Sequence, residues 1–94
     1  MGMQETLKAL SDPVRREILE LLKDGRLPAG EIAKHFTLSA ATVSHHLSQL
    51  KKAGLLVETK YKNFVFYEIN VTVFEEVILW ISRLMGGNED ESKS

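Results

Sequence analysis

Apolar positions recur along the chain with a period that changes after Gly54. Met3, Leu7 and Leu10 stand at i, i+4 and i+7, which predicts a short helix with one apolar stripe. Ser11-Asp12-Pro13 punctuates the pattern. Asp12 is a good N-cap and Pro13 suits the first position of a second helix, with Val14, Ile18, Leu21 and Leu22 on its apolar face. Asp24-Gly25 ends it. Pro28 opens a third helix, Ala29 to Phe36, with Ile32, Ala33 and Phe36 apolar. After the short Thr37-Leu38 connection, Ser39 caps a fourth helix that ends at Gly54. Two helices joined so tightly, the second strongly capped, make a helix-turn-helix pattern. Beyond Gly54 the chain turns to β-branched and aromatic residues. Leu55 to Thr59 and Phe64 to Ile69 read as two strands, and Lys60-Tyr61-Lys62-Asn63 between them reads as a basic hairpin tip with Asn63 suited to a left-handed backbone. Asn70 or Thr72 caps a last helix that runs to about Met85. Gly86-Gly87 stops it, and residues 87–94 read as a disordered acidic tail after a single domain spanning 1–86.

The last helix is apolar on most sides, with adjacent stripes 73-77-80-84 and 74-78-81-85. A helix of that kind is buried on most sides. With 94 residues and no cysteine, the chain can bury only ~60% of its unfolded surface and has no disulfide to help. Association with a second copy is the remaining common solution. Met3, Leu7, Val73, Val77, Trp80, Ile81 and Leu84 are therefore expected at a dimer interface. The simpler alternative is that the last helix wraps its own domain.

The fourth helix carries the candidate chemistry. At ~100° per residue, Val43, Leu47 and Leu50 share one direction, and Ala41, His45, Ser48, Gln49 and Lys52 the opposite one, with Thr42 at its edge. That outer face is small and hydrogen-bonding near its start, which suits base edges in a DNA major groove. Ser39, Ala40 and Ser44 complete the face. Lys52, and Lys60 and Lys62 in the hairpin, would lie against phosphates. The overall charge of −1 hides this division. Residues 37–63 carry +3, with Glu58 their only acid, and residues 64–94 carry −4. A basic middle and an acidic end point one surface at a polyanion, although a merely solvated lysine face would look similar.

Other chemistries find little support. His45 and His46 are adjacent on a helix and diverge by ~100°, so they chelate poorly together. His46 is expected to be half-buried and His45 to point outward. There is no Cys nucleophile, no glycine-rich phosphate loop and no H-E-x-x-H spacing, so no enzyme is expected. No cofactor and no metal site is expected either. No apolar run approaches the ~18 residues of a membrane span, and a cytoplasmic location is expected.

Several stretches resemble one family. Leu7 to Leu19, containing Ser11-Asp12-Pro13-Val14-Arg15-Arg16, is similar to the opening signature of the ArsR/SmtB-type winged helix-turn-helix repressors. Ala29 to Ala33, Leu38-Ser39, Val43-Ser44-His45-His46-Leu47 and Leu50 to Leu56 continue the match, and Val65, Tyr67 and Ile69 resemble the second wing strand. The last helix with Trp80 looks most like the metal-independent SdpR-type autorepressors. The resemblance covers about residues 4 to 85. It implies a mainly α fold with a β-hairpin, in the order ααααββα, dimeric through the first and last helices. It implies a homodimer on a palindromic DNA operator, with Ser39 to Ala53 in the major groove and Lys60 to Asn63 on the backbone or minor groove. The family's metal sensors use cysteines near the third helix, or His and Asp in the last helix. This chain has neither, and Lys62 stands where the family's wing tip usually has glycine. Phe64 and Phe66 alternate away from Val65, Tyr67 and Ile69. They keep open a second function, a module that binds a regulatory protein partner. A ligand- or metal-responsive repressor is the third reading.

Overall fold

The computed structural model describes residues 2–86. The expected acidic tail at 87–94 lies outside them. In chain order the elements are α1 (Met3–Leu10), α2 (Pro13–Leu21), β1 (Leu27–Pro28), α3 (Ala29–Lys34), α4 (Ala40–Lys52), β2 (Leu56–Tyr61), β3 (Phe64–Ile69) and α5 (Val71–Leu84). This is a winged helix-turn-helix, mainly helical with a small antiparallel sheet.

Local chemistry sets the boundaries. The Asp12 carboxylate accepts from the Val14 and Arg15 N–H groups at 2.8 and 3.1 Å, and Pro13 follows as the first residue of α2. Burial alone would raise the Asp12 carboxyl. The two backbone donors and the charge of Arg15 outweigh it and hold the group below its ordinary range. At the other end of the motif, α4 closes in a Schellman turn. Gly54, at φ +83°, donates to the Lys51 carbonyl at 2.9 Å, and Leu55 donates to the Leu50 carbonyl at 3.0 Å. Leu50 and Leu55 are both completely buried, so the turn is also held by its apolar contact.

The core lies where α2, α3 and α4 meet the start of the sheet. Ile18, Leu19, Leu22, Ile32, Val43, Leu47, Leu50, Leu55 and Leu56 fill it. Burial of each such side chain stabilises the fold by about 1.5–3 kcal/mol. Thr6 is the one buried polar residue among those described, and its hydroxyl donates to the Ala53 carbonyl at 3.1 Å. This bond ties α1 to the carboxyl end of α4.

Three details differ from the sequence reading. The sheet has three strands rather than a hairpin alone, in the order β1-β3-β2, with Leu27 opposite Tyr67 and Pro28 opposite Phe66. A two-residue strand leaves no alternating pattern to recognise. Its proline is tolerated because β1 is an edge strand, and the same Pro28 is the N-cap of α3. Helix α3 stops at Lys34, two residues short of Phe36. Its last turn tightens, as Phe36 donates to the Ala33 carbonyl at 3.2 Å. At the wing tip Lys62, not Asn63, takes the left-handed backbone, at φ +56°.

Candidate nucleic-acid interface

Helices α3 and α4 cross on the core, and α4 turns Val43, Leu47 and Leu50 inward. Ala40, Ala41, Thr42, Ser44, His45, Ser48 and Lys52 are all exposed on it. Ser39 holds the start of the helix. Its Oγ accepts from the Thr42 N–H at 3.1 Å and lies 2.9 Å from the Thr42 hydroxyl. The first turn of α4 carries no acid and the last carries Lys51 and Lys52. The face is thus uncharged at its start and cationic at its end.

Gln49 sits differently from the other outward residues. It is half-buried and lines a cleft of about 220 Å³ with Glu5, Lys8, Arg15 and Lys52, between α1 and α4. Arg15 anchors that cleft. Its Nε donates to the Ala9 carbonyl at 2.8 Å, and one guanidinium nitrogen donates to His46 Nδ1 at 3.4 Å. His46 is half-buried, and His45 points to solvent. Lys8 and Arg15 extend the basic surface beyond α4. Linear spacing does not reveal them, because they come from α1 and α2. Among the described residues no group of three or more His, Cys, Asp or Glu is placed to hold a metal ion.

The wing is the β2–β3 hairpin. Its register pairs Tyr61 with Phe64, leaving Lys62-Asn63 as a two-residue turn. Lys60 and Lys62 are exposed near this tip. The face toward α4 carries Glu58 and Tyr67, which stand opposite one another. The Glu58 carboxylate accepts from Lys51 of α4 and from the Tyr67 hydroxyl, the latter at 3.1 Å. Lys51 and Tyr67 hold the Glu58 carboxyl below its ordinary range. Burial, with Glu58 beside it, pushes the Tyr67 hydroxyl up to about 12. The opposite face carries Phe64, exposed, and Phe66, half-buried beneath the Arg26 guanidinium at 4.4 Å.

Helix α5 leaves Val71, Ile78, Leu79, Ile81, Leu84 and Met85 exposed. Of the residues expected at a dimer interface, Leu7, Ile81 and Leu84 are exposed, and Met3, Val73 and Trp80 are half-buried. Val77 is buried within the protomer, beside a cleft it shares with Met3 and Thr6 of α1.

The model of the family described as bacterial regulatory protein, arsR family, matches residues 12–57, from the Asp12 cap to the start of β2. The transcriptional repressor SdpR of Bacillus subtilis (strain 168) is 39% identical over 89 residues, 95% of this chain and 99% of its own length. The chain belongs to the ArsR family. A crystal structure of an ArsR family transcriptional regulator is similar with a TM-score of 0.85 at 25% identity, covering 93% of this chain and 96% of that one. The homodimeric winged helix-turn-helix DNA-binding domain of a possible ArsR-family regulator from Mycobacterium bovis, solved by NMR, shares the fold. Its TM-score is 0.72 at 24% identity, over 88% of this chain and 77% of that one. The ArsR-family match, residues 12–57, contains the whole of α4 and its cap. The chain is a regulator and not an enzyme.

Proposed function

We propose that the protein is a transcriptional repressor that binds operator DNA as a homodimer. The observation that carries this reading is the outer face of α4, small and hydrogen-bonding where base edges would lie and cationic toward its end and the wing. His45 and Ser48 would read bases from the major groove, with Ala40, Ala41, Thr42 and Ser44 allowing close approach. Lys52, Lys60 and Lys62 would neutralise phosphates. Gln49, turned toward α1, would reach the DNA together with Lys8 from the edge of the cleft.

The apolar face of α5 supplies the second copy's docking surface. Met3 and Leu7 of α1 with Val73, Trp80, Ile81 and Leu84 would form it, joined by Ile78 and Met85, while Val77 supports it from inside. A two-fold dimer requires a palindromic operator with half-sites about one DNA turn, ~10 bp, or a multiple apart. Occupying a promoter would repress it sterically, and similarity to SdpR makes the gene's own promoter the first candidate. Cysteines are absent and α5 offers neither His nor Asp, so repression would be metal-independent. Such a regulator would work in the cytoplasm. No helix among the described residues is long and apolar enough to cross a membrane.

A gel-shift titration against DNA upstream of the gene, with scrambled duplex as competitor, tests the reading. Binding at least ~10³-fold tighter than scrambled DNA is expected, unchanged by chelator or added zinc. No preference in that titration or in a random-sequence selection overturns it. A second reading, a surface for a regulatory protein, is favoured by Phe64 and the Arg26–Phe66 stack on the wing's outer face. Binding to protein that ignores DNA and survives high salt would support it.

A further inference from the structure

We propose that Glu58 is a built-in mask that keeps Lys51 off the phosphate backbone and so sets the protein's sequence-independent affinity for DNA. The proposal rests on the DNA-binding reading above. Glu58 is the only acidic residue in the basic stretch 37–63, so its position matters more than its number. It sits on the inner face of the wing with Tyr67 opposite, and its carboxylate meets the Lys51 ammonium at the carboxyl end of α4. The Tyr67 hydroxyl holds the second carboxylate oxygen at 3.1 Å. The Lys51 side chain is 52% exposed while that of Glu58 is 21% exposed. The lysine can therefore reach solvent and an approaching polyanion, whereas the carboxylate is fixed from behind and cannot swing away with it. Lys52, Lys60 and Lys62 have no carboxylate partner of this kind among the described residues.

A phosphate contact adds affinity for every sequence alike, whereas base contacts discriminate. A lysine already neutralised by a fixed carboxylate would gain little from a phosphate and release few counterions. Masking one lysine of the interface thus lowers the sequence-independent background and leaves base reading intact. It also joins the wing to α4 by a charged contact, so the two DNA-facing elements keep one relative orientation.

The test measures binding of the full chain to operator and to scrambled duplex between 50 and 200 mM salt. Glu58→Gln removes the charge and keeps the shape. It should tighten scrambled-DNA binding at low salt and steepen the log–log salt slope by about 0.9 per protomer, the value for one added phosphate. Operator binding should tighten by the same factor, so that the operator-to-scrambled ratio is unchanged. Lys51→Ala alone should leave the slope unchanged, and the double variant Glu58→Gln/Lys51→Ala, which restores the net charge, should return to the wild-type slope. A slope flattened by Lys51→Ala, or unmoved by a folded Glu58→Gln, overturns the mask. Lys51→Ala lies on the surface and answers even if Glu58→Gln does not fold. A wild-type protein that binds no DNA overturns the parent reading, and this proposal with it.

Discussion

Asp12 shows how much one side chain can decide. Its two hydrogen bonds hold the start of α2, and Asp12→Ala should cost about 0.5–2 kcal/mol, read by chemical denaturation. Acid should act through the same group. The Asp12 and Glu58 carboxyls are both held below their ordinary values of 3.8 and 4.5. Their contribution is therefore fully present above those values and is lost as pH falls through the lower folded ones. An Asp12→Asn variant should show a shallower loss of stability below about pH 4 than the wild type. Lys62 is the opposite case, a residue in a conformation its Cβ resists. Lys62→Gly should raise stability by roughly 0.5–1 kcal/mol, the relief of the left-handed strain less the added freedom of the unfolded glycine. The same change should weaken binding to all duplexes alike. Stability and affinity moving together would remove Lys62 from the DNA surface. From side-chain chemistry alone, Asn63 is the natural left-handed residue. The strand register decides otherwise, because pairing Tyr61 with Phe64 puts Lys62 at the first turn position.

At the scale of elements, the caps and the change of period carried most of the fold. Ser39, Asp12 and Gly54 lie where their chemistry places helix ends, and the outer face of α4 follows from helical spacing. What spacing cannot show is which neighbour lies along each flank. Gln49 meets α1 on one side, and Lys51 meets the wing on the other. Strand β1 is not legible in the sequence for a related reason, since two residues become a strand only through their partner β3. The roles within α4 and the wing separate by experiment. His45→Ala should cost about 1–3 kcal/mol on the operator and relax preference at one base position, as a selection from randomised duplexes would read. Lys60→Ala should weaken all sequences and flatten the salt slope instead. Uniform loss from His45→Ala would exclude base reading by that residue.

The whole molecule divides its surface between charge and grease. Lys51, Lys52, Lys60 and Lys62 lie exposed on α4 and the wing, and α5 leaves Ile78, Ile81 and Met85 uncovered along one stripe. Both stripes of α5 were visible in the sequence, but not which of them the protomer uses. Val77 turns inward, so the stripe of Ile78, Ile81 and Met85 is the freer one. Ile78→Glu should give monomers by light scattering and lose tight operator binding while keeping the helical content. A dimer that persists would remove Ile78 from the interface. Thr6 links these two surfaces. Its hydroxyl is held by the Ala53 carbonyl at the end of α4, so the helix expected beside the two-fold axis cannot slide along the helix expected in the groove without giving up a buried hydrogen bond between them. In a dimer, that one bond would work as a gauge block. The distance between the two reading heads would be machined into each protomer, and a repressor so built measures the length of its operator as well as its letters.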